Sequence, residues 1–156
     1  MTTALCPGSF DPPTLGHVDV LHRALHIFDK VVVGVVANPS KAPLFSLEER
    51  AALFAELFDG QIEVVGFDGL LVDLAADLGA TALVKGLREG ADWEYEIGMA
   101  HMNRHLTGIE TVFLPTAAEY RFVSSSLVKE VWRLGGDVAA LVPEPVMTAL
   151  AAKQEP

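Results

Sequence analysis

Residues 31–36 read Val-Val-Val-Gly-Val-Val, a β-branched run that is apolar at every position. Successive side chains of a strand point to opposite faces, so such a run is apolar on both. A strand of this kind needs a covering layer on each side, which is the situation inside a parallel sheet sandwiched by helices. The remaining sequence fits that demand. Short apolar runs at Ala4–Cys6, Lys30–Ala37, Gln61–Phe67, Thr81–Lys85 and Thr111–Leu114 alternate with helical patterns. Leu15, Val18, Leu21, Leu25 and Phe28 recur at spacings of three and four, marking one helix face. Ser46 with Glu49 forms a capping box that opens a helix over Leu47–Phe58. Further helices are predicted at Leu70–Leu78, ended by Gly79, and at Ala91–His105. Two more are predicted at Ser124–Leu134, ended by Gly135-Gly136, and at Pro145–Lys153.

This βαβαβαβαβα order predicts an α/β fold: a single Rossmann-like domain over residues 1–156, with a doubly wound, parallel five-stranded sheet and helices on both faces. Ligands of such sheets bind outside the C-terminal strand ends, near the point where strand order reverses. The loops after the strands are therefore the first places to look for chemistry.

Charge narrows the ligand. The chain carries 11 Lys+Arg against 21 Asp+Glu, a net charge of −10. No basic footprint for a nucleic acid exists at that balance. A small anion held by a few converging cations remains open. One cysteine, Cys6, cannot form an intrachain disulfide, and its place in a strand suits burial better than nucleophilic work. Residues 1–7 lack the pattern of a signal peptide, and no apolar run reaches the roughly 18 residues of a membrane span. The expectation is a cytoplasmic, reduced protein without a membrane partner.

The strongest chemical signal lies after the first strand, in Pro7-Gly8-Ser9-Phe10-Asp11-Pro12-Pro13-Thr14-Leu15-Gly16-His17. The Gly8-Ser9-Phe10 turn lets backbone N–H groups approach a ligand, and Thr14-x-Gly16-His17 opens a helix whose N-terminus suits a phosphate. Gly16 leaves room for a base or phosphate. His17 offers a hydrogen bond to a phosphoryl oxygen, stronger if protonated. As a lone Gly-His this would be an incidental histidine. The T-x-G-H pattern between a strand and a helix resembles the T/H-x-G-H signature of nucleotidylyltransferases.

Other candidates stand beside plainer readings. Lys41, after the second strand, is a mobile point charge for phosphates or a solvated lysine. Lys85-Gly86-Leu87-Arg88 follows the fourth strand, with Gly86 allowing close approach and Arg88 a two-donor clamp, and it is not a Walker A loop. Glu96 lies one turn into the next helix, where acids also serve the helix dipole. Tyr120-Arg121-Phe122-Val123-Ser124-Ser125-Ser126 ends in three serines that are helix caps or an anion site. His22/His26 and His101/His105 have zinc-compatible spacing but no third ligand, so no metal site is assigned to them.

Taken together, Pro-Gly-Ser-Phe-Asp-Pro…Gly-His17, Lys85-Gly-Leu-Arg88, Asp92-x-Glu94-Tyr95-Glu96 and Phe122-Val-Ser-Ser-Ser126 resemble the bacterial phosphopantetheine adenylyltransferase family, from about Ala4 to Leu150. The resemblance implies transfer of AMP from ATP to 4′-phosphopantetheine, giving dephospho-coenzyme A and pyrophosphate. It implies catalytic roles for His17, Lys41 and Arg88. It places ATP on Ser9, Phe10, His17, Gly86, Leu87, Arg88, Glu96 and the Tyr120–Ser126 segment. It places phosphopantetheine on Ser9, Lys41, Leu71 and Lys85, with Tyr95 near the pantetheine arm. It further implies Mg²⁺ held through substrate phosphates, coenzyme A as a feedback inhibitor, and a homohexamer. Another small-molecule nucleotidylyltransferase, or a non-catalytic nucleotide-binding module, are the alternatives.

Overall fold

The computed structural model describes residues 1–37 and 42–154. Strands β1 (Thr3–Gly8), β2 (Lys30–Val36), β3 (Glu63–Phe67), β4 (Ala82–Leu87) and β5 (Glu110–Pro115) form a parallel sheet in the order β3-β2-β1-β4-β5. Helices α1 (Leu15–Ile27), α2 (Leu47–Phe58), α3 (Leu71–Asp77), α4 (Gly90–Thr107), α5 (Ser125–Arg133) and α6 (Glu144–Gln154) follow in sequence, with a 3₁₀ turn at Ala118–Tyr120. The predicted α/β architecture, with its doubly wound sheet, is therefore present.

The strands divide their side chains between two faces. Ala4, Cys6, Val31, Val33, Val35 and Val84 pack with Leu21 and Ala24 of α1 and with Phe54 and Phe58 of α2. Leu5, Val32 and Leu83 point the other way and meet Leu74 and Ala75 of α3. Val32 and Val33, adjacent in sequence, are both 0% exposed. Each such valine contributes about 1.5–3 kcal/mol relative to an exposed one, so the run at 31–36 anchors both layers. A third cluster lies over the far side of α2, where Leu53 meets Val128 of α5 and Val146 and Leu150 of α6.

Helix ends follow the predicted signals. The Ser46–Glu49 capping box is reciprocal, and Gly79 and Gly135 sit just past α3 and α5 with φ of 61° and 82°. Three strands run further than predicted, β5 by one residue at each end. β1 continues through Pro7 and Gly8 because its ladder to β2 reaches Val35. β4 takes in Lys85, Gly86 and Leu87, predicted to be loop from Gly86 on, because β5 extends alongside to Pro115.

Between β1 and β4, where strand order reverses, the ladder pairs only Ala4 with Ala82 and Leu5 with Leu83. Thr3 accepts a bond from Thr81 N–H across this gap, so alternate residues Thr3, Leu5 and Pro7 turn their backbone groups toward β4. Pro7 has no N–H to give. The ladder stops before it, and the two strands part at their C-terminal ends.

Candidate active site

The gap between β1 and β4 widens into a cleft of about 510 Å³. Its walls come from Ser9 and Phe10 after β1, Thr14, Gly16 and His17 at the start of α1, and Lys85, Gly86 and Arg88 at the end of β4. Asp92 and Glu96 of α4 and Ser124–Ser126 at the start of α5 close it. Four separate sequence signals thus converge in one place.

His17 is held by an uncommon form of capping box. Thr14 Oγ1 accepts from His17 N–H at 3.3 Å, and in return Thr14 N–H donates to His17 Nδ1 at 3.0 Å. Glutamate or glutamine normally supplies that return contact. Here it makes Nδ1 an acceptor, so the neutral ring carries its proton on Nε2. The Phe10 ring, edge-on at 4.9 Å, packs against the imidazole. Burial, and then the nearby Arg88 charge, push the His17 pKa down from 6.5 to about 4. The sequence left room for a protonated histidine. The resting site holds a neutral one that donates through Nε2.

The α1 N-terminus is less open than its position suggests. Leu15 N–H donates to Leu141 O and His17 N–H to Thr14 Oγ1, which leaves Gly16 N–H from the first turn. The α5 N-terminus is freer: Ser124 Oγ takes Leu127 N–H and Ser124 O takes Val128 N–H, leaving the Ser125 and Ser126 amides at the cleft. Ser125 Oγ donates to Pro12 O at 2.7 Å and fixes this helix to the first loop.

Gly16 and Gly86, both earmarked for ligand approach, line the cleft, and Gly86 is also required by packing. A Cβ on Gly86 would lie 2.9 Å from Val20 Cγ2, so α1 lies too close to β4 for a side chain there. A Cβ on Gly16 would make only ordinary contacts, with Tyr120 Cβ at 3.5 Å and Thr116 Cγ2 at 3.6 Å.

Each cleft cation already has a carboxylate. Arg88 Nη2 lies 2.8 Å from Asp92 Oδ2, its Nε bonds the same oxygen, and its Nη1 donates to Val123 O. Lys85 Nζ is ion-paired with Glu96 Oε2. Glu96 Oε2 is buried, and the Lys85 ammonium is the group that satisfies it. Asp92 and Glu96 are four apart on α4 and so share a helix face.

Not every predicted site residue reaches the cleft. Leu71 packs against the cluster around Leu5 and Val32. Leu87 O accepts from Thr116 N–H, Tyr120 joins the cluster around α5 and α6, and Arg121 pairs with Glu89. Phe122 and Tyr95 are exposed, whereas Val123, though buried, lines the cleft with the serines. Lys41 lies outside the described residues.

Three residues that sequence reasoning missed hold the site together. Asp11, 4% exposed, accepts from Leu44 N–H and Phe45 N–H and from Lys129 Nζ of α5 at 3.0 Å. Arg50 of α2, 3% exposed, donates to Ser9 O. The signal was faint: a charged residue on the inner face of an amphipathic helix.

Comparison with known proteins agrees with this geometry. Residues 5–131 match the cytidylyltransferase-like family model. The chain belongs to that family. Over 155 residues, 98% of each protein, it is 56% identical to the phosphopantetheine adenylyltransferase of Nocardioides sp. (strain ATCC BAA-499 / JS614). Identity at that level over nearly the whole of both chains places it with the phosphopantetheine adenylyltransferases inside the family. More distant solved structures share the fold. A putative nicotinate-nucleotide adenylyltransferase from Vibrio parahaemolyticus superposes with a TM-score of 0.62 at 16% identity, over 97% of this chain and 99% of that one. A lipopolysaccharide core biosynthesis protein from Thermoplasma volcanium GSS1 gives 0.58 at 22% identity, over 75% and 97%.

The His17 environment makes a direct prediction. In the ligand-free protein its imidazole titrates near pH 4 by NMR, and Arg88→Met raises that value while leaving it below 6.5, because burial persists. A free protein whose His17 titrates at 6.5 or above contradicts the geometry. The sign for stability follows. The unfolded chain takes up this proton below about 6.5 and the folded one only near 4, so stability from His17 falls as pH drops through that window.

Proposed function

We propose that this chain transfers the adenylyl group of ATP to 4′-phosphopantetheine, forming dephospho-coenzyme A and releasing pyrophosphate. The observation that carries the reading is the convergence in one cleft of a tautomer-fixed His17, Arg88 and the open N-terminus of α5. An oxygen of the phosphopantetheine phosphate attacks the α-phosphorus of ATP in line. A new P–O bond forms, the bond from that phosphorus to the bridging oxygen breaks, and pyrophosphate leaves with the electron pair. The nucleophile is already an anion, so the protein's task is to position two polyanions and stabilise the transition state.

His17 Nε2–H donates to the α-phosphoryl oxygen as charge builds there. Arg88 offsets charge on the triphosphate, with Lys41 assigned the same task. The amides of Ser125 and Ser126 suit the departing pyrophosphate. Glu96, which lines the cleft and can accept from a hydroxyl or amine, is assigned to adenosine. Lys85 is assigned to phosphopantetheine. The cleft carboxylates Asp92 and Glu96 are occupied by cations, a donor set that fits Mg²⁺ bound through substrate phosphates. When bound, the ion neutralises phosphate charge and activates the leaving group.

Coenzyme A contains both an adenine nucleotide and the pantetheine arm, so we assign it the same cleft as an inhibitor. The described helices include none long and apolar enough to cross a membrane, and a cytoplasmic site of action fits this reading. Tyr95, Met99, Met102 and Leu106 form an exposed apolar stripe along α4, the kind of surface that self-association covers. A homohexamer is proposed, to be read by light scattering as six times 16.7 kDa; a monomeric mass contradicts it.

The activity test is pyrophosphate release with mass detection of product. Wild-type protein with ATP, Mg²⁺ and 4′-phosphopantetheine yields dephospho-coenzyme A, more slowly when coenzyme A is added. His17→Ala, folded and still binding ATP, loses about 100-fold or more in kcat. Near-normal turnover of that variant removes His17 from the mechanism, and preference for another acceptor phosphate redirects the substrate assignment.

A further inference from the structure

Arg50 is a buried cation that the chemistry above does not use. It lies on α2, outside the cleft lining, at 3% exposure. None of the ion pairs among the described residues involves it. Its guanidinium instead donates to three backbone carbonyls: Ser46 O at 3.2 Å, Ser9 O at 2.8 Å and Val36 O at 3.4 Å. A buried charge without a counter-charge is costly, and carbonyl dipoles compensate it only in part. Retaining it calls for a task that a neutral side chain would not perform.

The Ser9 contact supplies one. Phe10 has φ of 49°, a left-handed conformation that a bulky residue adopts only when held there. Its ring is buried edge-on against Phe54, also on α2, at 5.0 Å. The bond from Arg50 fixes the carbonyl of the same peptide. A trans peptide sets N–H opposite C=O, so a carbonyl pinned toward α2 turns the Phe10 N–H away from α2. That N–H has no hydrogen-bond partner among the described residues. The Val36 contact ties the same guanidinium to the end of β2.

We propose that Arg50 is a positioning residue: it locks the Ser9–Phe10 peptide so that the Phe10 N–H is presented to a substrate phosphate, and it registers that donor against the end of β2. The proposal rests on the adenylyl-transfer reading. It adds a backbone donor whose direction is set from outside the cleft, by a group that never touches substrate. With no ion pair among the described residues, the guanidinium also adds positive potential to the phosphate side of the cleft in a chain of net charge −10.

The test compares Arg50→Met, Arg50→Lys and, as a packing control on the same helix, Leu53→Ala, all well below their melting temperatures. Arg50→Met lowers kcat about 100-fold, the scale of losing one fixed phosphoryl donor, while KM for both substrates moves less than about 3-fold. Arg50→Lys, which keeps the charge but not the fork, recovers about 10-fold of that loss. Leu53→Ala loses stability with kcat nearly unchanged. A second readout needs no acceptor: inorganic triphosphate shifts the Phe10 amide resonance in the wild type and leaves it in place in Arg50→Met. If the wild type makes no dephospho-coenzyme A but this resonance behaves as stated, the substrate assignment fails and the positioning role stands. Wild-type kcat in Arg50→Met, equal losses in Arg50→Met and Leu53→Ala, or a triphosphate shift that survives the substitution each overturn it. If Arg50→Met does not fold, Arg50→Lys decides alone: a folded variant with wild-type kcat overturns the proposal, and one reduced about 10-fold with unchanged KM supports it.

Discussion

The reciprocal bonds between Thr14 and His17 are the interaction on which the site depends. The same two contacts begin α1, satisfy one of its unpaired amides and choose which imidazole nitrogen keeps the proton. With glutamate as the third residue of the helix, the cap would be equally good and the cleft would gain a negative charge where a phosphate must sit. Histidine delivers the cap and a neutral donor together. Its depressed pKa then follows from place, since the ring is packed by Phe10 and faces Arg88.

A cleft for polyanions in a chain of net charge −10 needs its cations kept in order until substrate arrives. Asp92 and Glu96 do this for Arg88 and Lys85. The Arg88–Asp92 pair has side chains 34% and 41% exposed, and ion pairs of that exposure contribute about 1 kcal/mol or less. A pair that weak leaves Arg88 able to exchange its carboxylate for another anion. Asp92 therefore orients Arg88 without locking it. Asp11 works differently: almost fully buried, it joins the first loop, the segment before α2 and Lys129 of α5, and so sets the distance between the His17 and serine walls.

The sheet and most of the site were legible because they rest on local signals. Val31–Val36 demanded two covering layers, Ser46–Glu49 announced α2, and Thr14-x-Gly16-His17 marked the start of α1 at a strand end. What escaped depends on long-range register. Pro7 is an ordinary loop proline until the β1 ladder shows that its missing N–H faces β4 and ends the pairing there. Gly86 reads as a ligand-approach glycine until α1 is packed over it, with Val20 in the space a side chain would need. Arg50 and Lys129 belong to no sequence motif, and only the fold brings them to Ser9 and Asp11.

The account is tested most directly by a crystal structure of the chain with a non-hydrolysable ATP analogue and Mg²⁺. It predicts an α-phosphate oxygen within about 3.2 Å of His17 Nε2, with Nδ1 still accepting from Thr14 N–H. An α-phosphate seated away from His17, or an imidazole turned so that Nδ1 faces the nucleotide, would contradict it.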